Sequence, residues 1–284
     1  MKNYFVTFAD STLSKSSARL AEQARAFGVF EQVFAASEHN LSHKFRRDYA
    51  TYLRAGVRGF GYWCWKPEII LATLSGLKYG DTLTYLDAGC HLNIRGIERF
   101  RQYIARCEQS AAGLVGFQVK PPVPPIGPTD RIFPSWLDSQ YTKGDLIDYF
   151  GVRERADILE TPTVAAGVII IKKTKRSVKL LEDWRAVISE SMHYFDDTPS
   201  VAPNCDGFIE HRHDQPAFSI LCKLHEVEFA SFFEMWYPSH RRNGADWSVL
   251  EDYPIHIRRD KRRRGAAWLR HAANVILSAS AKRW

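Results

Sequence analysis

Nowhere in this chain are two cysteines spaced as in a CxxC motif; its five cysteines (Cys64, Cys90, Cys107, Cys205, Cys222) are scattered and odd in number. That usage argues against a disulfide frame and against a cysteine zinc site, and for reduced thiols in a cytoplasm. No run of about 18 apolar residues occurs, so no membrane-spanning helix is expected. The opening MKNYFVTFADS has neither the apolar stretch nor the small-residue cleavage site of a signal peptide, so none is expected. Glycine is missing from ADSTLSKSS, which follows the first β-rich run, so a glycine-rich loop to cradle phosphate is not found there. One further absence concerns TLTYLDAGCHLN (82–93), where the strand-like run from Thr82 to Leu86 delivers Asp87 and no second carboxylate follows.

What is present is a chain of 284 residues, long enough to bury a sizeable core as one large domain or one domain with an appendage. Aromatic residues make up 13%, with 8 tryptophans, which provides stacking surface as well as core filling. The net charge of +7 is uneven: nine Lys and Arg against one acid lie from Ile255 onward, leaving thirty basic and thirty-one acidic residues before it. A near-neutral body with a basic tail is not the footprint of a nucleic-acid-binding protein, which needs a basic face with interleaved aromatics.

The pattern along the chain is strand, helix, strand, helix. YFVTFAD reads as a strand with Ser11 and Thr12 as helix caps; KSSARLAEQARAFG spaces Leu20, Ala24 and Phe27 on one helical face and stops at Gly28. FEQVFAAS reads as a strand, and Phe45, Tyr49 and Leu53 at i, i+4 and i+8 predict a helix running to about Gly56. Pro67 suits the first turn of a helix ending between Gly76 and Gly80. GLVGFQV, TVAAGVIIIKK and VEFAS read as strands, with helices over KRSVKLLEDWRAVISESM and into HDQPAFSILCKLHE. KPPVPPIGPTDRIFP holds six prolines in fifteen residues, too many for regular structure, and a loop of that length is usually functional or mobile. An α/β fold follows, a mostly parallel central sheet with helices on both faces, in a domain over 1–257 with a tail over 258–284. Ligands of open α/β sheets sit at the carboxyl ends of strands, where Asp10, Asp87 and the loop before Gly167 would lie.

YLDAG at a strand end, AAGVIII, HDQPAF at a helix start and YPIHIRRDK occur in one order. That order, over residues 4 to 262, resembles the GT-A fold (Rossmann-like) glycosyltransferases, in particular the glycogenin-like family 8 and bacterial polysaccharide enzymes. GFGYWCWKPEIIL also looks like a segment of a group of bacterial glycosyltransferases. The resemblance implies a nucleotide-sugar donor whose diphosphate must be met by positive charge, from a divalent metal or from Arg and Lys side chains. In the family a DxD motif holds Mn²⁺ or Mg²⁺; here Gly89 stands at the second ligand position, Asp87 at the first, and His256 at the late histidine. Two readings stay open: a reduced metal site of Asp87 and His256, or no metal, with Asp87 on ribose or sugar hydroxyls and Arg258, Arg259 or Lys261 on the diphosphate. As a bare motif, Asp87 before glycine is also an ordinary turn.

By the same resemblance Asp214 and Gln215 contact sugar hydroxyls, with Asp214 a general base if the enzyme inverts; helix capping alone would also explain Asp214. Thr7, Phe8 and Asp10 take the nucleotide-base position, and Ala166 and Gly167 let the sugar approach the backbone. Arg58 and Lys66 are donor contacts, since a helix amino terminus with a lysine attracts phosphate, while Trp63 and Trp65 serve either as stacking platforms or as core. His211 and His213 form an HxH, a weak zinc signal without further spaced ligands. From Ala266 on, Trp268, Ala272, Val275, Ile276 and Ala279 share a helical face beside six basic residues in 258–264, a composition that suits an anionic membrane surface. The implied activity is transfer of a hexose, from a UDP-sugar foremost, to a bacterial surface glycan acceptor (lipid-linked O-antigen or capsule, or lipopolysaccharide), by a cytoplasmic enzyme peripheral at the inner membrane face. The rivals are a sugar nucleotidyltransferase, disfavoured by the missing glycine loop, and a non-catalytic degenerate transferase or nucleic-acid adaptor.

Overall fold

The structure, a computed structural model, describes residues 1–240 and 244–258. Its strands are β1 (Asn3–Phe8), β2 (Gln32–Ala36), β3 (Thr82–Leu86), β4 (Cys90–Leu92), β5 (Leu114–Gln118), β6 (Val164–Lys172), β7 (Glu228–Ser231) and β8 (Ile255–Ile257). Six of them form one sheet in the order β2-β1-β3-β6-β5-β7. β1 runs parallel to β2 and β3, and β5 parallel to β7, whereas β6 is antiparallel to both β3 and β5. This is the expected α/β sheet, mostly parallel, with one reversed strand near its middle. Every residue of β3 and β5 is buried, as a strand covered on both faces requires.

Each face of the sheet is covered by helices whose apolar stripes account for them. The Ser14–Phe27 and Ile97–Gln109 helices bury Leu20, Ala24, Phe27, Phe100 and Tyr103 against Phe5, Val168 and Ile170. On the opposite face the Trp65–Ser75, Lys175–Glu190 and Asp214–Leu224 helices pack Ile70, Leu74, Trp184, Val187 and Phe218 against Val6, Tyr85, Ile169 and Ile171. Burial of such side chains contributes about 1.5–3 kcal/mol each. Gly28 ends its helix as the sequence predicts, at φ 73°, and the structure adds a capping box of Thr174 with Ser177 ahead of Lys175. The 45–53 periodicity does not become one helix. A helix spans His43–Asp48, and the chain continues in turns, with Tyr49 and Leu53 still packed on the core.

Gly167 interrupts the alternation of β6. Ala166 shares a core with Ile169 and Ile171, while Ala165 shares the other with Val168 and Ile170, so the side-chain parity shifts by one residue there. The register against β5 slips at the same place, between Val115 and Phe117. A bulge of this kind re-aims side chains beside it. Because β6 runs backwards, its first half, with Ala166 and Gly167, lies at the carboxyl ends of β3 and β5. The turn after Asp87 leads into β4, which pairs with β8 through Cys90 opposite Ile257 and His91 opposite His256. Arg19 steadies that turn by donating to the carbonyls of Ala88 and Cys90, both at 2.9 Å.

Candidate active site

Asp87 follows the end of β3, its backbone N–H donating to the Gly167 carbonyl at 2.9 Å. A Cβ on residue 167 would stand 2.7 Å from Asp87 Oδ2, so only glycine lets this carboxylate lie against the bulge. The room the sequence assigns to an approaching sugar at Gly167 is thus taken by Asp87 itself. Tyr85, two residues earlier and therefore on the same face of the strand, donates its hydroxyl to Asp87 Oδ1 at 2.6 Å. Tyr85 is fully buried, and burial together with the neighbouring carboxylate holds its phenol well above the usual range, so it stays a donor.

The Lys66 ammonium joins Asp87 to Asp214. It lies 3.3 Å from Asp87 Oδ1 and 2.6 Å from Asp214 Oδ2, and donates to the Ala166 carbonyl at 3.2 Å. Lys66 is 2% exposed and Asp214 5%, whereas the Asp87 side chain keeps 36% of its surface in solvent. Burial works against the lysine's charge, but Asp214 and Asp87 outweigh it and hold Lys66 above the ordinary lysine value. Burial pushes Asp214 up to about 6, against the downward pull of Lys66. At neutral pH the Lys66 ammonium and the Asp214 carboxylate are both charged and pair directly.

A strained backbone precedes Lys66. Residues 59–63 all have positive φ, from 52° at Phe60 to 93° at Gly61, and the Tyr62 and Trp63 N–H groups donate to the Arg58 and Gly59 carbonyls. This is one turn of left-handed helix, in which Phe60, Tyr62 and Trp63 each cost about 1–2 kcal/mol. The GFG spacing makes the turn possible, since a side chain at Gly59 would run into the Trp63 ring. Trp65 steadies it by donating Nε1–H to the Gly59 carbonyl at 3.0 Å and stacking on Phe8 at 3.8 Å. Tyr62 and Trp63 then face the His213 ring at 5.3 and 5.5 Å. His213 has φ 56° as well, and it, not Asp214, occupies the N-cap position of the Asp214–Leu224 helix. Asp214 spends its side chain on Lys66 instead of capping. Strain concentrated on both sides of one buried cluster is typical of a functional site.

The remaining expectations divide. Trp65 is core, and Thr7 and Phe8, the last two residues of β1, are buried, so neither of these two presents a face to a nucleotide. Asp10 caps a short 3₁₀ turn, accepting from Leu13 N–H and from the Thr12 hydroxyl. Gln215 donates to the Thr163 hydroxyl and is half-buried. Arg58 is exposed and lies 3.7 Å from Asp197, whose carboxylate is also 3.7 Å from His213 Nε2. Arg58, Asp197, Asn204, Glu210 and His211 line a cleft of about 360 Å³. Tyr85 and Asp197 escaped the sequence reading; for Tyr85 the i, i+2 spacing on the strand was a usable signal, whereas for Asp197 there was none.

Among the described residues, Asp87 and His256 do not form a site for a divalent metal. His256 Nε2 bonds the Leu250 carbonyl at 2.8 Å, and its Nδ1 faces the Arg258 guanidinium at 3.2 Å, so neither ring nitrogen is free to pair with Asp87 at an ion. His211 Nδ1 accepts from the Lys143 N–H, and burial lowers this histidine to about 3, while His213 Nδ1 is held by the Phe195 carbonyl. Among the described residues no group of three or more His, Cys, Asp or Glu side chains could hold a metal. Arg258 lies over the Trp247 ring at 4.9 Å; Arg259, Lys261 and the tail helix expected from Ala266 fall outside the described residues.

No family model and no curated protein matches the chain. Among solved structures it is similar to the galactosyltransferase LgtC in complex with donor and acceptor sugar analogs (12% identity, 89% of this chain and 86% of that one, TM-score 0.44). It is similar also to mouse xyloside xylosyltransferase 1 (12%, 83% and 87%, TM-score 0.42). A third is a glycosyltransferase involved in glycosylation of the major capsid of PBCV-1 (7%, 67% and 68%, TM-score 0.33). Likeness at this level decides nothing about chemistry, which rests on the side chains.

Proposed function

We propose that the protein is a glycosyltransferase taking a hexose from a nucleotide-diphosphate sugar, a UDP-sugar foremost, to a hydroxyl of a glycan or glycolipid acceptor. One observation supports this above the others: residues as distant in sequence as Lys66 and Asp214 meet Asp87 in a single buried cluster at the carboxyl edge of an α/β sheet. Ligands bind at that edge where strand order reverses, here between β1 and β3. Sugars offer rows of hydroxyl donors, and carboxylates are acceptors for them. The solvent-facing side of Asp87 suits a donor hydroxyl. Asp214, poised near 6, suits removal of the acceptor's proton. In that reaction the acceptor oxygen bonds the anomeric carbon, the bond from that carbon to the diphosphate breaks, and the proton passes to the Asp214 carboxylate. Arg58 and Arg258, with Lys261 of the tail, are the cations proposed to meet the diphosphate. The cleft that Asp197 and Asn204 line is the proposed seat of the acceptor, with Asp197 3.7 Å from His213, the residue before Asp214.

A thermal-shift panel of UDP, GDP, CMP and dTDP sugars tests the reading. At about a hundredfold excess over Kd, one nucleotide series is expected to raise Tm by roughly 5 °C or more. No shift with any of them would point to a degenerate, non-catalytic protein.

The acceptor is proposed to be a bacterial surface glycan reached at the inner face of the membrane. Six basic residues in 258–264 support this, at about 1 kcal/mol each near anionic lipid. No helix among the described residues is long and apolar enough to cross a membrane. Truncation after Lys261 is expected to release the protein from anionic liposomes at low salt; equal sedimentation of both forms would discredit the attachment.

A further inference from the structure

The geometry points to Lys66 as a built-in cation, occupying the place between Asp87 and Asp214 where a divalent ion would otherwise bridge them. Three oxygens surround its Nζ: Asp214 Oδ2 at 2.6 Å, the Ala166 carbonyl at 3.2 Å and Asp87 Oδ1 at 3.3 Å. Hard divalent cations seek this donor set, two carboxylates and a carbonyl. An ammonium has three N–H groups and here finds three acceptors. With Lys66 only 2% exposed, ammonium and dication cannot share the space.

Two other features agree. In Asp87-Ala88-Gly89 the sequence offers one acid where a metal-binding pair would need two, so the turn after β3 lacks the second carboxylate ligand of a metal site. The Asp87 side chain also retains an exposed side although Oδ1 is bonded twice, to Lys66 and to the Tyr85 hydroxyl. Lys66 is therefore a positioning residue. It orients both carboxylates, keeps Asp214 from rising further, and replaces the ion that would otherwise hold them.

Manganese titration followed by electron paramagnetic resonance tests this on the full chain without any sugar nucleotide, so its outcome is separate from that of the transferase reading. Wild type is expected to show no saturable Mn²⁺ binding below millimolar concentration. Lys66→Ala vacates the space and is expected to gain one Mn²⁺ with affinity at least tenfold higher. That gain should vanish in Lys66→Ala/Asp87→Ala. A folded Lys66→Ala protein that binds no more Mn²⁺ than wild type would overturn the assignment. One saturable equivalent on wild type, abolished by Asp87→Asn, would overturn it as well. Should Lys66→Ala not fold, the wild-type titration decides: its lack of saturable binding upholds the inference, and an Asp87-dependent equivalent sinks it.

Discussion

Asp87→Ala is expected to lower sugar transfer and donor hydrolysis by about 10²–10³-fold, the usual cost of removing one preorganised polar contact to the reacting groups. The fold should survive. The side chain is 36% exposed, and its loss strands only the Tyr85 hydroxyl while Lys66 keeps Asp214. An unpaired buried hydroxyl costs about 1–3 kcal/mol, a modest fall in Tm for a chain of this size. Asp87→Asn separates charge from shape, because it keeps an acceptor oxygen on the exposed side but no longer balances Lys66. Activity within twofold of wild type in a folded Asp87→Ala protein would remove Asp87 from the site.

Lys66→Met is expected to produce the largest loss of stability, about 3–5 kcal/mol at neutral pH, because breaking a buried pair leaves an uncompensated charge. The stem of Lys66 is replaced by a side chain of similar length, so packing is largely kept. The dependence on pH distinguishes charge from packing. In the wild type Asp214 is already raised to about 6 from the 3.8 of a free side chain, by burial that Lys66 only partly offsets. A carboxyl with a raised folded pKa favours the folded state when protonated. Its contribution is complete below about pH 4 and is lost as pH rises through the folded value. With Lys66 gone, the main opposition to burial is lost, and the deficit of the variant should widen from pH 5 to pH 8. Adding Asp214→Asn should recover a large part of the loss at pH 8. Urea unfolding at both pH values measures this. Equal deficits at pH 5 and pH 8 would assign the loss to packing and the charge network would lose its role.

The apolar runs were legible because burial on both faces of a sheet leaves a plain mark: TLTYL and GVIII could hardly be anything but central strands, and their ends located Asp87 and Gly167 at one edge. Leu20, Ala24 and Phe27, the Gly28 stop and Pro67 marked helices by spacing and local backbone needs, which are properties of neighbouring residues. Two short pieces, β4 and β8, left no such mark, since three residues each acquire strand geometry only by pairing with one another. The 45–53 helix failed for a related reason. Its period was real, but the chain had to turn there into the left-handed segment at 59–63.

The sequence by itself determined the class of fold, the acid at the rim of the sheet and the departure from a two-acid motif, because each is written in local pattern. Only the tertiary structure decided the direction of β6, the placing of the Lys66 ammonium between two carboxylates, and the engagement of both His256 nitrogens. Strand direction and ion pairing depend on which distant segments pack together, and pairing energies do not show in the spacing of residues along one chain. Lys66 read alone is a cation at a helix start. Between Asp87 and Asp214 it is the centre of the site.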